Sequence, residues 1–266
     1  MKRLFIFISA LTALSSCKKD TVAEYLPTDK GELEIEFDNV VGGSNLQRNT
    51  GVYTNAAGES FSVNLLDYYI SNIRLKKDDG SEYVVPKNSS YFLIKEEDPS
   101  QMITLDDVPA GNYTGITFTL GVDSSKCAAP LAERTGVLDP AGAGAGMYWT
   151  WNSGYIFVKL EGTSAVATTA DKKFRYHIGG FGGYSSPTIN NIKTITLNAG
   201  AGASAKVRQN KPEAPHIHIM ADIAKVMNGS TNVSIAANTT VMFMPYSVNI
   251  ANNYAGMFNI DHIHND

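Results

Sequence analysis

The chain has 266 residues, with 22 Lys and Arg set against 26 Asp and Glu for a net charge of −4. The basic residues are scattered rather than gathered in a block, so a nucleic-acid partner is not expected. Only two cysteines and five histidines occur, which makes their placement the most informative chemistry in the sequence.

The N-terminus reads as an address. Lys2 and Arg3 precede an apolar run from Leu4 to Leu14 that is too short to span a bilayer as a mature helix, and residues 1–16 read as a signal peptide. The run ends in Leu14-Ser15-Ser16-Cys17, which resembles the lipobox of bacterial lipoproteins, where the cysteine is diacylated and becomes the first residue of the mature chain. Lys18 rather than Asp follows it, and in that resemblance this directs the protein to the outer membrane. Residues 17–30 are then a lipidated cysteine and a polar tether, and the membrane contact is the lipid anchor. With Cys17 committed to lipid, Cys127 stands alone, and no intrachain disulfide can form. That thiol is either buried and inert or available to a metal.

Residues 31–266 are long enough for one large all-β domain, and no Pro/Ser linker divides them. Strict alternation recurs along this stretch: Leu33, Ile35 and Phe37 in "ELEIEFD", Ile116, Phe118, Leu120 and Val122 in "GITFTLGV", and Ile156, Val158 and Leu160 in "YIFVKLEG". Period two is the mark of half-buried strands. Further strands are expected in Phe61–Leu75, "YVV", "YFLIK", "KFRYHI", "IKTITL", "HIHI" and "NVSIA", and one or two helical turns over Asp222–Met227 with Asp222 as the cap. The Gly/Ala tracts 141–147 and 199–205 read as loops. The pattern predicts a single-domain antiparallel β-sandwich with few short helices, a β-barrel being the alternative.

Four of the five histidines form two His-x-His pairs, His216/His218 in "PHIHIM" and His262/His264 in "DHIHND". On a strand each pair projects two imidazoles from one face, where both can reach one ion. Imidazole suits copper, zinc and nickel, so the spacing names no metal. The plain alternative is an amphipathic strand with Ile217 and Ile219 inside and the histidines in water. His177 stands before two glycines in "YHIGG" and is either a hydrogen-bonded strand residue or a ligand. Both tryptophans, Trp149 and Trp151, lie one residue apart in "GMYWTWNSGYIFVKLEG" and share a face if that segment is a strand; filling a core is the ordinary role of such a pair. There is no Gly-x-Ser-x-Gly elbow, His-Glu-x-x-His, phosphate loop or Cys-x-x-Cys. An enzyme is not expected.

Taken together, "YYISNIRL" (68–75), "LGVDS" (120–124), "GMYWTWNSGYIFVKLEG" (146–162), "FRYHIGG" (174–180) and "NNYAGMFNIDHIHND" (252–266) resemble the MbnP-like domain found in lipoproteins of Bacteroidetes-type bacteria. The resemblance implies a β-rich copper-binding protein, with Cu(I) favoured. It also implies oxidation of one tryptophan, Trp149 or Trp151, to kynurenine by a dihaem peroxidase-like partner, the product joining histidines on the metal. In the family a histidine often stands a few residues after the segment matching 120–124, whereas Lys126 and Cys127 occupy that place here. Either copper binding is lost, or Cys127 replaces the imidazole, or His216 and His218 compensate. The expected function is a lipid-anchored, cell-envelope copper-binding protein for uptake, storage or delivery, drawing ligands from His177, His216, His218, His262, His264 and Cys127. A structural or adhesion lipoprotein that keeps the fold without the metal is the alternative.

Overall fold

The structure is a computed structural model that describes residues 24–98, 101–151 and 154–265. The expected signal peptide, Cys17 and residues 18–23 of the tether lie outside the described residues. Strands of five residues or more are, in chain order, β1 (Lys30–Val41), β2 (Ser60–Lys77), β3 (Tyr91–Lys95), β4 (Met102–Pro109), β5 (Gly111–Leu120), β6 (Gly154–Thr163), β7 (Lys173–Gly179), β8 (Lys193–Asn198), β9 (His216–Asp222) and β10 (Phe258–His264). Three short helices accompany them: α1 (Ser124–Cys127), α2 (Ala224–Met227) and α3 (Ser247–Tyr254). Among the described residues no helix is long and apolar enough to cross a membrane.

The strands form two curled sheets, as the all-β sandwich reading expects. The smaller follows the order β10–β9–β1, with β4 also paired to β1; the larger is built around β8–β5–β2–β6–β7, with β3 along the middle of the long β2. Most pairings are antiparallel, but β1 and β9 run parallel although about 180 residues separate their partners, with Glu34 opposite His216 and Glu36 opposite His218.

Alternation drives this arrangement. In β1 the side chains of Leu33, Ile35 and Phe37 are fully buried while the intervening glutamates face outward, because successive side chains on a strand point to opposite faces. Ile217 and Ile219 do the same in β9. Phe37 bridges the layers: its ring packs edge-on against Tyr68 of β2, Phe118 of β5 and Phe258 of β10, with centroids 6.2, 5.7 and 6.0 Å away. Phe258 also packs on Phe118 at 5.1 Å, so the last strand is anchored by an aromatic residue at its start.

Two local expectations change. Asn232–Ala236 is a loop, not a strand: Val233 and Ile235 are buried and produce the alternation, but the Glu59 carboxylate takes the backbone N–H groups of Ile235 and Ala236 at 2.6 and 3.1 Å and the Ser234 hydroxyl at 2.8 Å. Those donors cannot then serve a ladder. Helix α2 begins at Ala224, whose N–H is accepted by Asp222 Oδ1 at 3.1 Å; the same oxygen accepts from Gly42 N–H at 2.9 Å and ties the end of β1 to the helix. Helix α3 and strand β4 had no clear signal. The asparagine-rich sequence of α3 is a weak helix former, and it is held by burial of Ile250, Ala251 and Tyr254.

Because Phe37 contacts three rings across both layers, Phe37→Ala is expected to cost about 3–5 kcal/mol. Urea denaturation followed by circular dichroism measures it.

Candidate metal centre

The outward residues of β1, β9 and β10 make one polar face. On β9, Ile217 and Ile219 point into the core, so His216 and His218 must point out. Strand β10 pairs antiparallel with β9 and sets His264 opposite His216 and His262 opposite His218. The two His-x-His pairs thus meet as a two-by-two block of imidazoles. Ring centroids lie 6.0 Å apart for His216–His264, 4.6 Å for His218–His262, 4.5 Å for His262–His264 and 6.3 Å for His216–His218.

The register shifts just beyond the block, between His218 and Ile219, where Ile219 pairs with Ile260 and leaves Asp261 as the extra residue. A bulge of this kind re-aims a side chain. Asp261 Oδ2 comes to 2.7 Å from His262 Nδ1 and 3.5 Å from His218 Nδ1. One donor atom from each of His218, Asp261 and His262 can be chosen so that all lie within 4.8 Å of one another. On the other side β1 brings up Glu36 and Asp38. Glu36 Oε2 is 3.2 Å from His216 Nε2 and 3.8 Å from His218 Nε2, and Asp38 Oδ2 is 3.6 Å from His218 Nε2.

Two ring nitrogens stand out. His216 Nε2 and His218 Nδ1 are shielded from solvent yet make no hydrogen bond of ordinary geometry. A buried polar atom left in this state is costly in a finished structure. Burial holds the His216 pKa below the ordinary histidine value, against the pull of Glu36 and Glu34, which favours the uncharged ring, the form with a lone pair to donate. Its hydrogen bond to His262, ahead of the neighbouring charges, holds the Asp261 carboxyl below its usual range, and burial raises that of Asp38.

The other expected site residues fall elsewhere. His177 lies on β7 in the larger sheet, where Nε2 is 2.8 Å from Glu161 Oε1; burial lowers its pKa and the Glu161 hydrogen bond opposes that shift. This is the hydrogen-bonded strand histidine. Cys127 is fully buried in a second, smaller core with Tyr69, Leu138, Met147, Trp149, Tyr155 and Phe157. Its thiol donates to the Val122 carbonyl at 3.3 Å, and burial pushes its pKa up to about 12, far from the thiolate that a metal takes. The two tryptophans do not share a strand: Trp149 ends a two-residue strand, whereas Trp151 lies in the turn that follows. They still pack together, with centroids 5.3 Å apart. Trp149 is 5 % exposed and Trp151 63 %. Gly179 makes the seat for Trp149, since a Cβ there would come within 2.8 Å of its ring and 2.3 Å of the Tyr155 carbonyl oxygen.

The chain is a β-sandwich that carries an imidazole and carboxylate face on its smaller sheet. The chain belongs to the MbnP family, whose model matches residues 30–245. Among solved structures, MbnP from Methylosinus trichosporium is similar in fold, with a TM-score of 0.52 over 82% of this chain and 86% of that chain at 14% identity. A comparison with curated proteins finds no match. The second histidine pair lies C-terminal to the matched residues.

Sequence reasoning reached the four histidines but not Glu36 and Asp38. The signal for them was present in "ELEIEFD", whose acidic residues alternate with its core residues; only the parallel pairing of β1 with β9 gives them a role.

Two predictions test these placements. With Cys17 replaced by serine, Cys127 is expected to stay unreactive toward a thiol reagent in the native protein and to react fully in denaturant, monitored by absorbance of the released chromophore. In Trp149→Phe the remaining Trp151 is expected to emit at longer wavelength and to be readily quenched by acrylamide. Trp151→Phe should show the reverse.

Proposed function

We propose that this protein is a lipid-anchored copper-binding protein of the bacterial cell envelope, acting in uptake, storage or delivery of the metal. The reading rests on one observation: His218, Asp261 and His262 converge with the donor spacing that a metal needs. Their chemistry fits copper, since imidazole nitrogens suit it in both common oxidation states. The Nδ1 of His218, shielded from solvent and 3.5 Å from Asp261 Oδ2, supplies a donor already stripped of water. The family resemblance supports copper over zinc, which the same donors also accept.

The lipobox at Cys17 supports anchoring to the outer membrane by diacyl lipid. The stacked pair Trp149 and Trp151 supports oxidation by a dihaem peroxidase-like partner, and Trp151, at the surface, is the indole that such a partner reaches. The second reading, an envelope lipoprotein that keeps the fold without metal, draws on Cys127: the position where the family often has a histidine holds a buried, protonated thiol.

Competitive titration of the purified protein with Cu(I) and Cu(II), using a chromophoric chelator, tests the proposal. Tight binding is expected, weakened by roughly 100-fold or more in the His218→Ala/His262→Ala variant, since even indirect partners of a ligand are worth about 10–100-fold. No binding by the unaltered protein favours the structural reading.

A further inference from the structure

We infer that the imidazole face has a second cation position, on the β1 side of His218, and that it takes a divalent ion. This rests on the metal-binding reading above and extends it from one ion to two.

The two nitrogens of His218 face different carboxylates. Nδ1 lies 3.5 Å from Asp261 Oδ2, toward β10, whereas Nε2 lies 3.8 Å from Glu36 Oε2 and 3.6 Å from Asp38 Oδ2, toward β1. The ring therefore stands between two acidic surroundings. On the β1 side a second imidazole is already in place, with His216 Nε2 3.2 Å from the same Glu36 oxygen. That nitrogen is one of the two shielded ring atoms with no hydrogen bond, and His218 Nδ1 is the other. Each side of the His218 ring thus has one orphaned nitrogen, one or two carboxylates and at least one further group to complete a ligand set.

The donor pairs on this side lie 3.2 to 3.8 Å apart, the edge length of a shell whose ligands sit about 2.0–2.2 Å from an ion. Side-chain rotation has to close them on one ion, since the set that already meets mutual spacing is His218, Asp261 and His262. The parallel register makes the closeness of these pairs inevitable, because Glu36 is the direct cross-strand partner of His218 and side chains on one face of a sheet stand side by side. Charge selects the ion. Two carboxylates and two imidazoles are oxygen and nitrogen donors of hard to borderline character, with no sulfur, and such a set favours Zn(II) or Cu(II) over Cu(I). The side chains are accessible, with Glu36 and Asp38 32% and 33% exposed. When both positions fill, His218 is shared between them as an imidazolate, one ring nitrogen to each ion, its ring protons passing to solvent.

Equilibrium dialysis of the whole purified protein against Zn(II) alone, followed by elemental analysis, tests this. Two ions per chain are expected. Glu36→Gln/Asp38→Asn should bind one, Asp261→Asn/His262→Ala should bind the other one, and His218→Ala should weaken both. All these side chains face outward, and a thermal melt of each variant checks that the fold survives. With two equivalents of Cu(II), the spins coupled through the shared ring should lose electron paramagnetic resonance intensity. A single ion that Glu36→Gln/Asp38→Asn leaves untouched would overturn the second position while leaving the metal-binding reading intact. A single ion lost in both double variants would mean one shared site, and also overturns it. No ion at all would defeat both readings. Two ions with uncoupled Cu(II) signals would overturn the sharing of His218.

Discussion

The parallel pairing of β1 with β9 is the constraint on which the rest of the molecule turns. It buries Leu33, Ile35 and Phe37 beside Ile217 and Ile219, and the same alternation leaves Glu34, Glu36 and Asp38 no place but the outer face beside His216 and His218. A slip of one residue would send charges inward and apolar side chains out. The hydrophobic core therefore fixes the register of the polar face, and no contact between carboxylate and imidazole needs to be strong for the arrangement to persist. Polar contacts on the outer face of a sheet contribute little on their own. Their geometry is inherited from the packing beneath them.

The two cores do different work. The large one spans both sheets and is closed by the aromatic cluster of Phe37, Tyr68, Phe118 and Phe258, which also seats the strand that brings Asp261, His262 and His264. The small one gathers Tyr69, Tyr155, Cys127 and Trp149 beneath the loops after β5, where phenol hydroxyls bond the Val137 and Leu138 carbonyls, each at 2.7 Å. The four-histidine face and the tryptophan pair are thereby kept on separate parts of the fold. The ligand pool suggested by composition is really three separate environments: a four-histidine face, a histidine paired with Glu161, and a thiol sealed in a core.

Strands with period-two patterns were legible in the sequence, because burial of one face leaves that trace. The sandwich class followed from them. Asn232–Ala236 carried the same trace for another reason, since two buried side chains in a loop alternate as well as two in a strand. Helix α3 and strand β4 left too weak a mark, being shaped by tertiary packing rather than by local preference. The histidine pairs were legible as pairs, each by its own spacing, and as part of amphipathic strands; both readings describe the same residues. Their union was not, since cross-strand partners about 46 residues apart, and 180 for Glu36 and His218, leave no local pattern.

Among the described residues β10 pairs only with β9 and so ends the smaller sheet. An unpaired strand edge invites another chain to add to it, and charged, kinked edges resist that. The extra residue at Asp261, with the polar side chains of Asn259, His262 and His264 around it, makes β10 a poor template for such growth. The segment that completes the histidine block is thus also a guard on the margin of the sheet, and the polarity that suits it to an ion keeps neighbouring copies from zipping together.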